Sequence, residues 1–327
     1  MGIPILLFLV GLVLLIKGGD WFVDGATGIA KRFGIPEVLI GATVVSIGTT
    51  LPEVMVSATS AVSGHGGMAY GNALGSILCN TALIAAITVT VRPSRVERRS
   101  LVMPIAFFFG AAAVYVTVAY AFGYFSRVVG VTLLGIFAVY ILLSVIQVKD
   151  QPEVEAAVES FDETPHHVKL ALVKDVSFLI LGAALIAVGA DLLVDNGTIL
   201  AELLGIPEAV IALTFVALGT SLPELVTAIT ALVKGHGALS LGNVIGANLF
   251  NLVLVSGVSA TLSPFAVPNN SQIAGINTSL LVDIPVVLLA MAILTLPALI
   301  RKKLSRVQGV TLLTLYAAFC VFQFLVL

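Results

Sequence analysis

The 327-residue chain is 59% hydrophobic and only 10% charged, with a formal net charge of −2. Soluble domains are about 45–50% apolar and 25% charged, so this composition excludes an ordinary soluble protein and indicates an all-α integral membrane protein. At about 20 apolar residues per crossing, the chain has room for about ten membrane-spanning helices and for no large soluble enzyme domain. The near-neutral charge argues against a nucleic-acid partner, and two cysteines are too few for a disulfide scaffold.

Ten apolar stretches follow one another along the chain and predict ten transmembrane helices. They cover residues 3–30, 36–62, 68–91, 101–121, 128–148, 170–200, 207–233, 238–262, 277–300 and 307–326. The connections between them are short except for residues 149–169, which form an acidic, solvated linker. This linker divides the chain into residues 1–148 and residues 170–327, each with five predicted spans.

The basic residues predict the orientation in the membrane, because cytoplasmic loops carry the excess of Lys and Arg. With the N-terminus outside, 14 of the 16 basic residues fall in or beside inward-facing loops. Only Arg127 falls in an outward-facing loop, and Lys17 lies toward one end of the first span. The count predicts a multi-pass protein of the cell (inner) membrane, with both termini extracytoplasmic and the linker 149–169 cytoplasmic.

An internal repeat relates the two halves of the chain at a constant offset of 171 residues. Residues 20–80 align with residues 191–251 without a gap, with 27 identities in 61 positions. The matched segments include Gly-Ile-Pro-Glu, Gly-Thr, Leu-Pro-Glu, Gly-His-Gly and Gly-Asn. Chance similarity between apolar helices would not keep glycines, prolines and acids in step. The parts expected to face each other are about residues 36–91 and 207–262.

Each half carries five predicted spans, and an odd number means that the second half enters the membrane from the opposite side. Equivalent positions should then gain basic charge where they move inside and lose it where they move outside. Lys31 corresponds to Glu202, and Ser63 corresponds to Lys234. The sequence therefore predicts two inverted five-helix repeats, an architecture typical of secondary transporters.

Glu53 and Glu224 occupy equivalent positions inside long apolar spans. A carboxylate at the bilayer centre costs about 2.5–3.5 kcal/mol, so two such residues require a reason. Each follows Gly-Thr-[Thr/Ser]-Leu-Pro, in which the proline removes a backbone donor and frees a carbonyl one turn earlier. We therefore expect a helix broken at the membrane midplane in each repeat, with carboxylate, hydroxyl and carbonyl oxygens within one turn.

Oxygen ligands of this kind suit a hard cation. Ca²⁺ takes six to eight oxygens, and two glutamates would neutralise one Ca²⁺. The alternative is that Pro-Glu only begins a second half-helix, where both residues are favourable, but this does not explain two symmetric copies. The next span of each repeat adds amides that are either ligands or interhelical hydrogen-bond partners: Asn72, Asn80, Asn243 and Asn251.

Four aspartates lie toward the far end of the first span of each repeat: Asp20, Asp24, Asp191 and Asp195. We expect capping or helix-end pairing for them, with ion entry as the alternative. The Gly-His-Gly segments at 64–66 and 235–237 are typical of tight interfacial turns.

The motifs Gly-Thr-[Ser/Thr]-Leu-Pro-Glu and Gly-Asn-x-x-Gly, each present once in both halves, resemble the α-repeats of the cation/calcium exchanger superfamily. Over its ten-span length the chain is similar to a prokaryotic sodium/calcium exchanger. The resemblance implies secondary active antiport of Ca²⁺ against Na⁺, with both ions competing for a central cluster of sites. It also implies that the long first and sixth helices slide against the rest and expose this cluster alternately.

Position by position, the resemblance implies ion ligands in both repeats. Glu53 and Glu224 bind Ca²⁺ and are shared with Na⁺, and Thr49 and Thr220 add carbonyl and hydroxyl oxygens. The residues that complete the Na⁺ sites or orient the carboxylates are Thr50, Ser221, Ser76, Asn80 and Asn251. Those that contribute only backbone carbonyls are Ser46 and Ala217.

The chain departs from the family pattern at three positions. Ala247, the equivalent of Ser76, stands where serine is common, which removes a Na⁺ ligand and leaves the coupling ion open. Ile77 replaces a usual asparagine opposite Asn248, a change expected to affect packing. Asn251 in place of aspartate resembles members that do not require K⁺.

Two other functions stay open from the sequence. Buried carboxylates that exchange a proton for a metal would give an H⁺/Ca²⁺ antiporter. A cation channel is the alternative from a different class, although one inverted pair of acids is not a ring from symmetric subunits. No motif of an intramembrane hydrolase is present, so we expect no enzymatic activity, no cofactor and no obligate protein partner; Ca²⁺, Na⁺ and the lipid bilayer are the expected partners.

Overall fold

The computed structural model describes residues 2–93, 96, 98–149, 166–203, 219–269, 272–273 and 275–326. The helices, numbered in chain order, are α1 (Gly2–Phe33), α2 (Glu37–Val62), α3 (Gly66–Val91), α4 (Arg98–Ala121), α5 (Arg127–Lys149), α6 (His166–Leu203), α7 (Leu222–Val233), α8 (Gly237–Leu262), α9 (Ser279–Arg301) and α10 (Arg306–Val326). The strands are β1 (Tyr124–Phe125), β2 (Phe265–Ala266), β3 (Gln272–Ile273) and β4 (Ile276–Asn277). β1 pairs with β2 and β3 with β4, both antiparallel.

Eight helices of the described chain, α1 to α6 together with α8 and α9, are long and apolar enough to cross a membrane. Their bounds follow the predicted spans to within a few residues, so the all-helical membrane fold is confirmed. α7 has 12 residues and α10 has 21. That these two complete ten crossings stays a prediction, because α10 is not among the eight and residues 204–218, which precede α7, lie outside the described residues. Residues 150–165 of the acidic linker also lie outside them.

The prediction of a broken helix was wrong for the first repeat. α2 remains helical from end to end, with Pro52 inside it. A proline removes only one backbone donor, and in a bundle its neighbours and nearby hydroxyls satisfy the carbonyl that is freed. In the second repeat, α7 begins at Leu222 after a turn at Thr220 and Ser221, with Pro223 in its first turn. That this turn interrupts a longer helix stays a prediction, because residues 204–218 lie outside the described residues.

π-helical turns interrupt the regular hydrogen bonding of α2, α3 and α8. They lie at Gly41–Val45, Asn80–Ala85 and Asn251–Val255. Turns of this kind are rare and occur mostly at functional sites. Two of them begin at equivalent asparagines, so the two repeats share this local distortion as well as their sequence.

α1 and α6 pack against each other more extensively than any other pair of described helices. Their glycines allow a close approach: a Cβ atom on Gly18 would lie 2.8 Å from the nitrogen of Ile186, and one on Gly182 would lie 2.5 Å from the nitrogen of Phe22. Small residues serve this purpose at helix contacts in membranes. The buried residues of this pair, with a few from α2, α7 and α8, form a hydrophobic cluster separate from the main core of the bundle.

The described loops gather at two ends of the bundle. At one end, contacts connect α1 with α6 and join the segments that follow α3, α7 and α9 to neighbouring elements. The contacts are Arg32 with Asp175, Lys234 with Asp24, Arg92 with Leu232, and Val96 with Lys302. We call this the basic end. At the opposite end, β1 pairs with β2, and the backbone nitrogen of Val267 donates a hydrogen bond to the Gly123 carbonyl at 2.9 Å.

The glycine contact between α1 and α6 can be tested with one added methyl group. We expect Gly182→Ala to destabilise the protein, because the new Cβ would lie 2.5 Å from the Phe22 backbone. Gly135→Ala on α5 is the matched control, since nothing lies within 4 Å of its Cβ position and alanine is favoured over glycine by about 1 kcal/mol in a helix. Thermal unfolding in detergent should show a lower Tm for the first variant alone; equal Tm values would contradict the close packing.

Candidate functional site

Glu53 of α2 and Glu224 of the first turn of α7 are both fully buried. Their carboxyl groups lie close enough to repel each other when both are ionised. The carboxyl group of Glu224 also lies beside the hydroxyl groups of Thr49 and Thr50. The structure therefore brings together the two acids and the two α2 threonines that the sequence singles out.

The oxygen atoms of this cluster are largely free of partners. No oxygen of the Glu53 or Glu224 carboxyl group makes a hydrogen bond of regular distance and angle among the described residues, although polar groups lie near Glu224. The same holds for the buried hydroxyls of Thr50 and Ser221. Buried polar atoms are almost always hydrogen-bonded in proteins, and each exception requires an explanation. A hard cation supplies one here, because it binds several oxygens at once and needs carboxylate charge.

Asn80 and Asn251 have the properties that the sequence predicts for ligands or orienting groups. Both are fully buried, and each begins a π-helical turn. Neither the amide nitrogen nor the amide oxygen of either residue has a hydrogen-bond partner among the described residues. The two equivalent amides thus add unpaired polar atoms to the interior of the bundle in matching positions.

A hydrogen-bond network from α8 to α2 positions Thr49. The Ser46 hydroxyl donates to the Gly41 carbonyl at 2.7 Å and lies 3.0 Å from the backbone oxygen of Asn243. The Thr49 hydroxyl lies 3.3 Å from Oδ1 of Asn243 and 3.5 Å from the backbone oxygen of Ser46. The side chain of Ser46 therefore joins helices, and Asn243 is the interhelical partner that the sequence left as one of two possibilities.

Asn72 has the corresponding place in α3. Its amide nitrogen donates to the Ser57 hydroxyl at 2.8 Å and lies 3.4 Å from the backbone oxygen of Glu53. Its Oδ1 accepts a hydrogen bond from the Thr220 hydroxyl at 3.3 Å. The hydroxyl of Thr220, a predicted ligand, is thus engaged with an amide of the other repeat in this structure.

The remaining predicted positions are distributed between the two halves. Ser76 is buried on α3, and its equivalent, Ala247, is buried on α8. Ala217 lies outside the described residues, so its expected backbone carbonyl ligand stays a prediction.

Two of the four aspartates form ion pairs, although they lie inside α1 rather than at its end. The amine of Lys234 lies 2.7 Å from Oδ1 of Asp24 and 3.4 Å from Oδ1 of Asp20. Asp191 lies instead at a groove of about 690 Å³ between α2 and α6, which also exposes Gly48 and Pro52. The groove brings open space next to the segment of α2 that precedes Glu53.

The fold and the site together define a class of protein: a multi-pass helical membrane protein with a candidate cation site in the interior of its bundle. The site consists of oxygen donors from both repeats. Two carboxyl groups provide the charge, and no described Lys or Arg pairs with either of them.

Comparison with known proteins gives the particular family. The family model described as "sodium/calcium exchanger protein" matches residues 3–146 and 174–325, and the chain belongs to this family. It is 30% identical to the sodium/calcium exchanger MaX1 of Methanosarcina acetivorans over 98% of both chains, and 40% identical to the inner membrane protein YrbG of Escherichia coli over 79% of both chains.

The fold is also similar to a solved exchanger. The structure of the sodium–calcium exchanger NCX_Mj, soaked with Na⁺ and Sr²⁺, aligns with a TM-score of 0.81 and 31% sequence identity over 98% of both chains. The family is thus one of membrane exchangers, and the sequence-based resemblance is confirmed.

The two carboxyl groups predict a binding result that needs no transport. Ca²⁺ should raise the Tm of the purified protein in detergent, because a ligand that binds only the folded state stabilises it. Glu53→Gln and Glu224→Gln should each remove this shift. Asp283→Asn is the control: this acid also lies in a membrane helix, but it accepts a hydrogen bond from Gln323 at 2.8 Å. A Ca²⁺ shift that survives in either glutamate variant would contradict the site.

Proposed function

We propose that the protein is a secondary active antiporter that exchanges Ca²⁺ for Na⁺ at the Glu53–Glu224 site by alternating access. The observation that carries the proposal is the pair of fully buried carboxyl groups without hydrogen bonds of regular distance and angle among the described residues, in a chain of the sodium/calcium exchanger family. The relative MaX1 and the structural neighbour NCX_Mj carry the name of sodium/calcium exchangers, and the exchange activity is extended here to this chain.

Charge balance favours mutually exclusive binding of the two ions. Two ionised carboxylates carry the charge that one Ca²⁺ or two Na⁺ would neutralise. Because the same oxygens serve either occupant, binding of one ion type displaces the other. An empty site with both groups ionised is unfavourable in an apolar interior, which discourages a return without cargo and couples the two fluxes.

Each predicted ligand has a proposed role in this exchange. Glu53 and Glu224 bind Ca²⁺ and are shared with Na⁺, and Thr49 and Thr220 add carbonyl and hydroxyl oxygens. Residues proposed to complete the Na⁺ sites or to orient the carboxylates are Thr50, Ser221, Ser76, Asn80 and Asn251. Ser46 and Ala217 are proposed to contribute backbone carbonyls only.

We also propose ten membrane crossings in two inverted repeats, residues 1–148 and 170–327, with the basic end in the cytoplasm. Two contacts support the inversion. Gly66, in the first Gly-His-Gly turn, packs against Phe265 at the end opposite the basic end, whereas His236, in the second, lies 2.8 Å from Glu37 at the basic end. Both termini are then extracytoplasmic, and the linker is cytoplasmic.

Proton-coupled exchange is the second candidate, and one observation favours it. Ala247 provides no hydroxyl where Ser76 provides one in the other repeat, so one Na⁺ ligand is missing. A proton on each carboxylate would neutralise the empty site without any Na⁺.

Gradient-driven uptake of ⁴⁵Ca²⁺ into proteoliposomes separates these candidates. We expect uptake when an outward Na⁺ gradient is imposed and none with K⁺, Li⁺ or H⁺ gradients alone. Liposomes that contain Glu53→Gln protein are the control, because they should show no uptake under any gradient. Uptake driven by a pH gradient in the absence of Na⁺ would refute Na⁺ coupling, and single-channel current in a planar bilayer would refute antiport.

Restoring the missing hydroxyl should strengthen Na⁺ binding. We expect Ala247→Ser to lower the half-saturating Na⁺ concentration by about two- to tenfold, the range of one added hydrogen-bond-strength contact, with little change in half-saturating Ca²⁺. Ser76→Ala is the matched variant in the other repeat and should raise the half-saturating Na⁺ concentration. Na⁺-dependent Ca²⁺ efflux measures both; unchanged Na⁺ dependence in both variants would exclude these positions from the Na⁺ sites.

A further inference from the structure

The turn between α7 and α8 is tied to other helices by charged contacts at the basic end. The amine of Lys234 lies 2.7 Å from Oδ1 of Asp24 and 3.4 Å from Oδ1 of Asp20, and it donates a hydrogen bond to the backbone oxygen of Asp20 at 3.0 Å. His236 Nδ1 lies 2.8 Å from Oε1 of Glu37. Lys234 thereby joins α7 to α1, and His236 joins α8 to α2.

The equivalent turn between α2 and α3 has the same backbone conformation. Gly64 and Gly235 have φ values of +84° and +87°. The backbone nitrogens of His65 and His236 donate hydrogen bonds to the carbonyls five residues earlier, at 2.8 Å and 2.7 Å. The two turns therefore differ in their side chains and not in their backbone geometry.

A positively charged side chain is present in only one of the two turns. Ser63 stands at the position equivalent to Lys234, and a serine is neutral and too short to form an ion pair. Asp191 and Asp195, the equivalents of Asp20 and Asp24, form no ion pair within the described part of the chain. The acids are thus present in both repeats, whereas the ion pair of Lys234 with Asp20 and Asp24, which we call the tether, has no counterpart among the described residues.

The end without the tether contains open space. A cavity of about 510 Å³ lies between the α2–α3 turn and the segment around β2, where it is lined by Gly64, Gly66 and Phe265. The groove of about 690 Å³ between α2 and α6 reaches Asp191 near this end. The small cavity near Arg92 at the basic end is about 20 Å³.

α1 is well placed to shift relative to the bundle. It packs mainly on α6, and the buried residues of this pair, with a few from α2, α7 and α8, form a hydrophobic cluster separate from the main core. A salt bridge from Lys234 to Asp20 and Asp24 crosses the boundary between this pair and the bundle. We expect a displacement of α1 that opens the basic end to break this contact.

We propose that Lys234 is a positioning residue that holds the exchange site closed toward the basic end, and that its absence from the first repeat makes the two access states unequal in free energy. The proposal rests on the proposed alternating-access function. When a ligand binds only one of two conformations, its apparent affinity rises as the populated fraction of that conformation rises. Loss of the tether should therefore lower the half-saturating Ca²⁺ concentration at the basic face and raise it at the other face.

The expected size is modest because the ion pair is partly exposed. Contacts of this kind shift an equilibrium by roughly two- to fivefold. The opposite signs at the two faces distinguish the effect from general damage, which would lower the maximal rate at both faces together.

The test compares four single variants and one double variant in right-side-out and inverted membrane vesicles, with ⁴⁵Ca²⁺ uptake as the readout. Lys234→Ser should give the opposite shifts, and Lys234→Arg should behave like the unmodified protein. Ser63→Lys should shift both values in the same direction as Lys234→Ser, because a tether at the opposite end favours the state that is open to the basic face. The double variant Ser63→Lys with Lys234→Ser should therefore reverse the original asymmetry. Lys303→Ser is the control, because it removes the same charge from an exposed residue at the same end that forms no described ion pair. Equal values for Lys234→Ser and Lys303→Ser would overturn the proposal.

Failure of the proposed function would be recognised separately. If the unmodified protein takes up no Ca²⁺ in either type of vesicle, the exchange activity is refuted. Hydrogen–deuterium exchange of residues 18–33 and 222–240 then still tests the tether, since Lys234→Ser should increase exchange there and Lys303→Ser should not. Equal exchange in the two variants would show that Lys234 does not hold α1 against the bundle.

Discussion

The rest of the structure depends on the burial of two like charges in an apolar bundle. Glu53 and Glu224 are fully enclosed, each at a cost of about 2.5–3.5 kcal/mol for an ionised carboxylate at membrane depth. Their surroundings offer oxygens rather than basic groups, because the described ion pairs all lie elsewhere. Neutralisation must therefore come from outside the protein. A bound cation or protons on the two carboxylates would supply it.

Close contact between α2 and α8 makes this enclosure possible. A Cβ atom on Gly242 would lie 2.2 Å from the Val38 carbonyl, and one on Gly246 would lie 2.3 Å from the Ser46 hydroxyl. Glycines at these points let the two backbones approach as only small residues allow. The approach brings Asn243 within reach of Thr49, whose hydroxyl faces Glu224. Residues with no side chain thus help to determine where the candidate oxygen ligands lie.

The positions of the spans and of the two acids were predictable from the sequence, whereas local backbone geometry was not. Long apolar segments must become helices in a membrane, so eight spans followed directly from hydropathy. The fate of Pro52 depended on whether neighbours could satisfy one freed carbonyl, which hydropathy does not encode, and the helix continues there. The π-helical turns at Asn80 and Asn251 have no recognised sequence signal. The bridging role of Asn243 depended on a contact between distant segments.

Equivalent polar residues of the two repeats have different hydrogen-bond partners. Asn72 donates a hydrogen bond to Ser57, but the equivalent of Ser57 is Ala228, and the amide nitrogen of Asn243 has no partner among the described residues. An inverted pair of identical repeats would have two access states of equal free energy, because each state is the image of the other. In an exchanger of the proposed kind, side chains that differ between equivalent positions would make the two states unequal in free energy and therefore in population. The apparent affinities at the two faces would then be linked, because a change in population that raises the affinity at one face lowers it at the other.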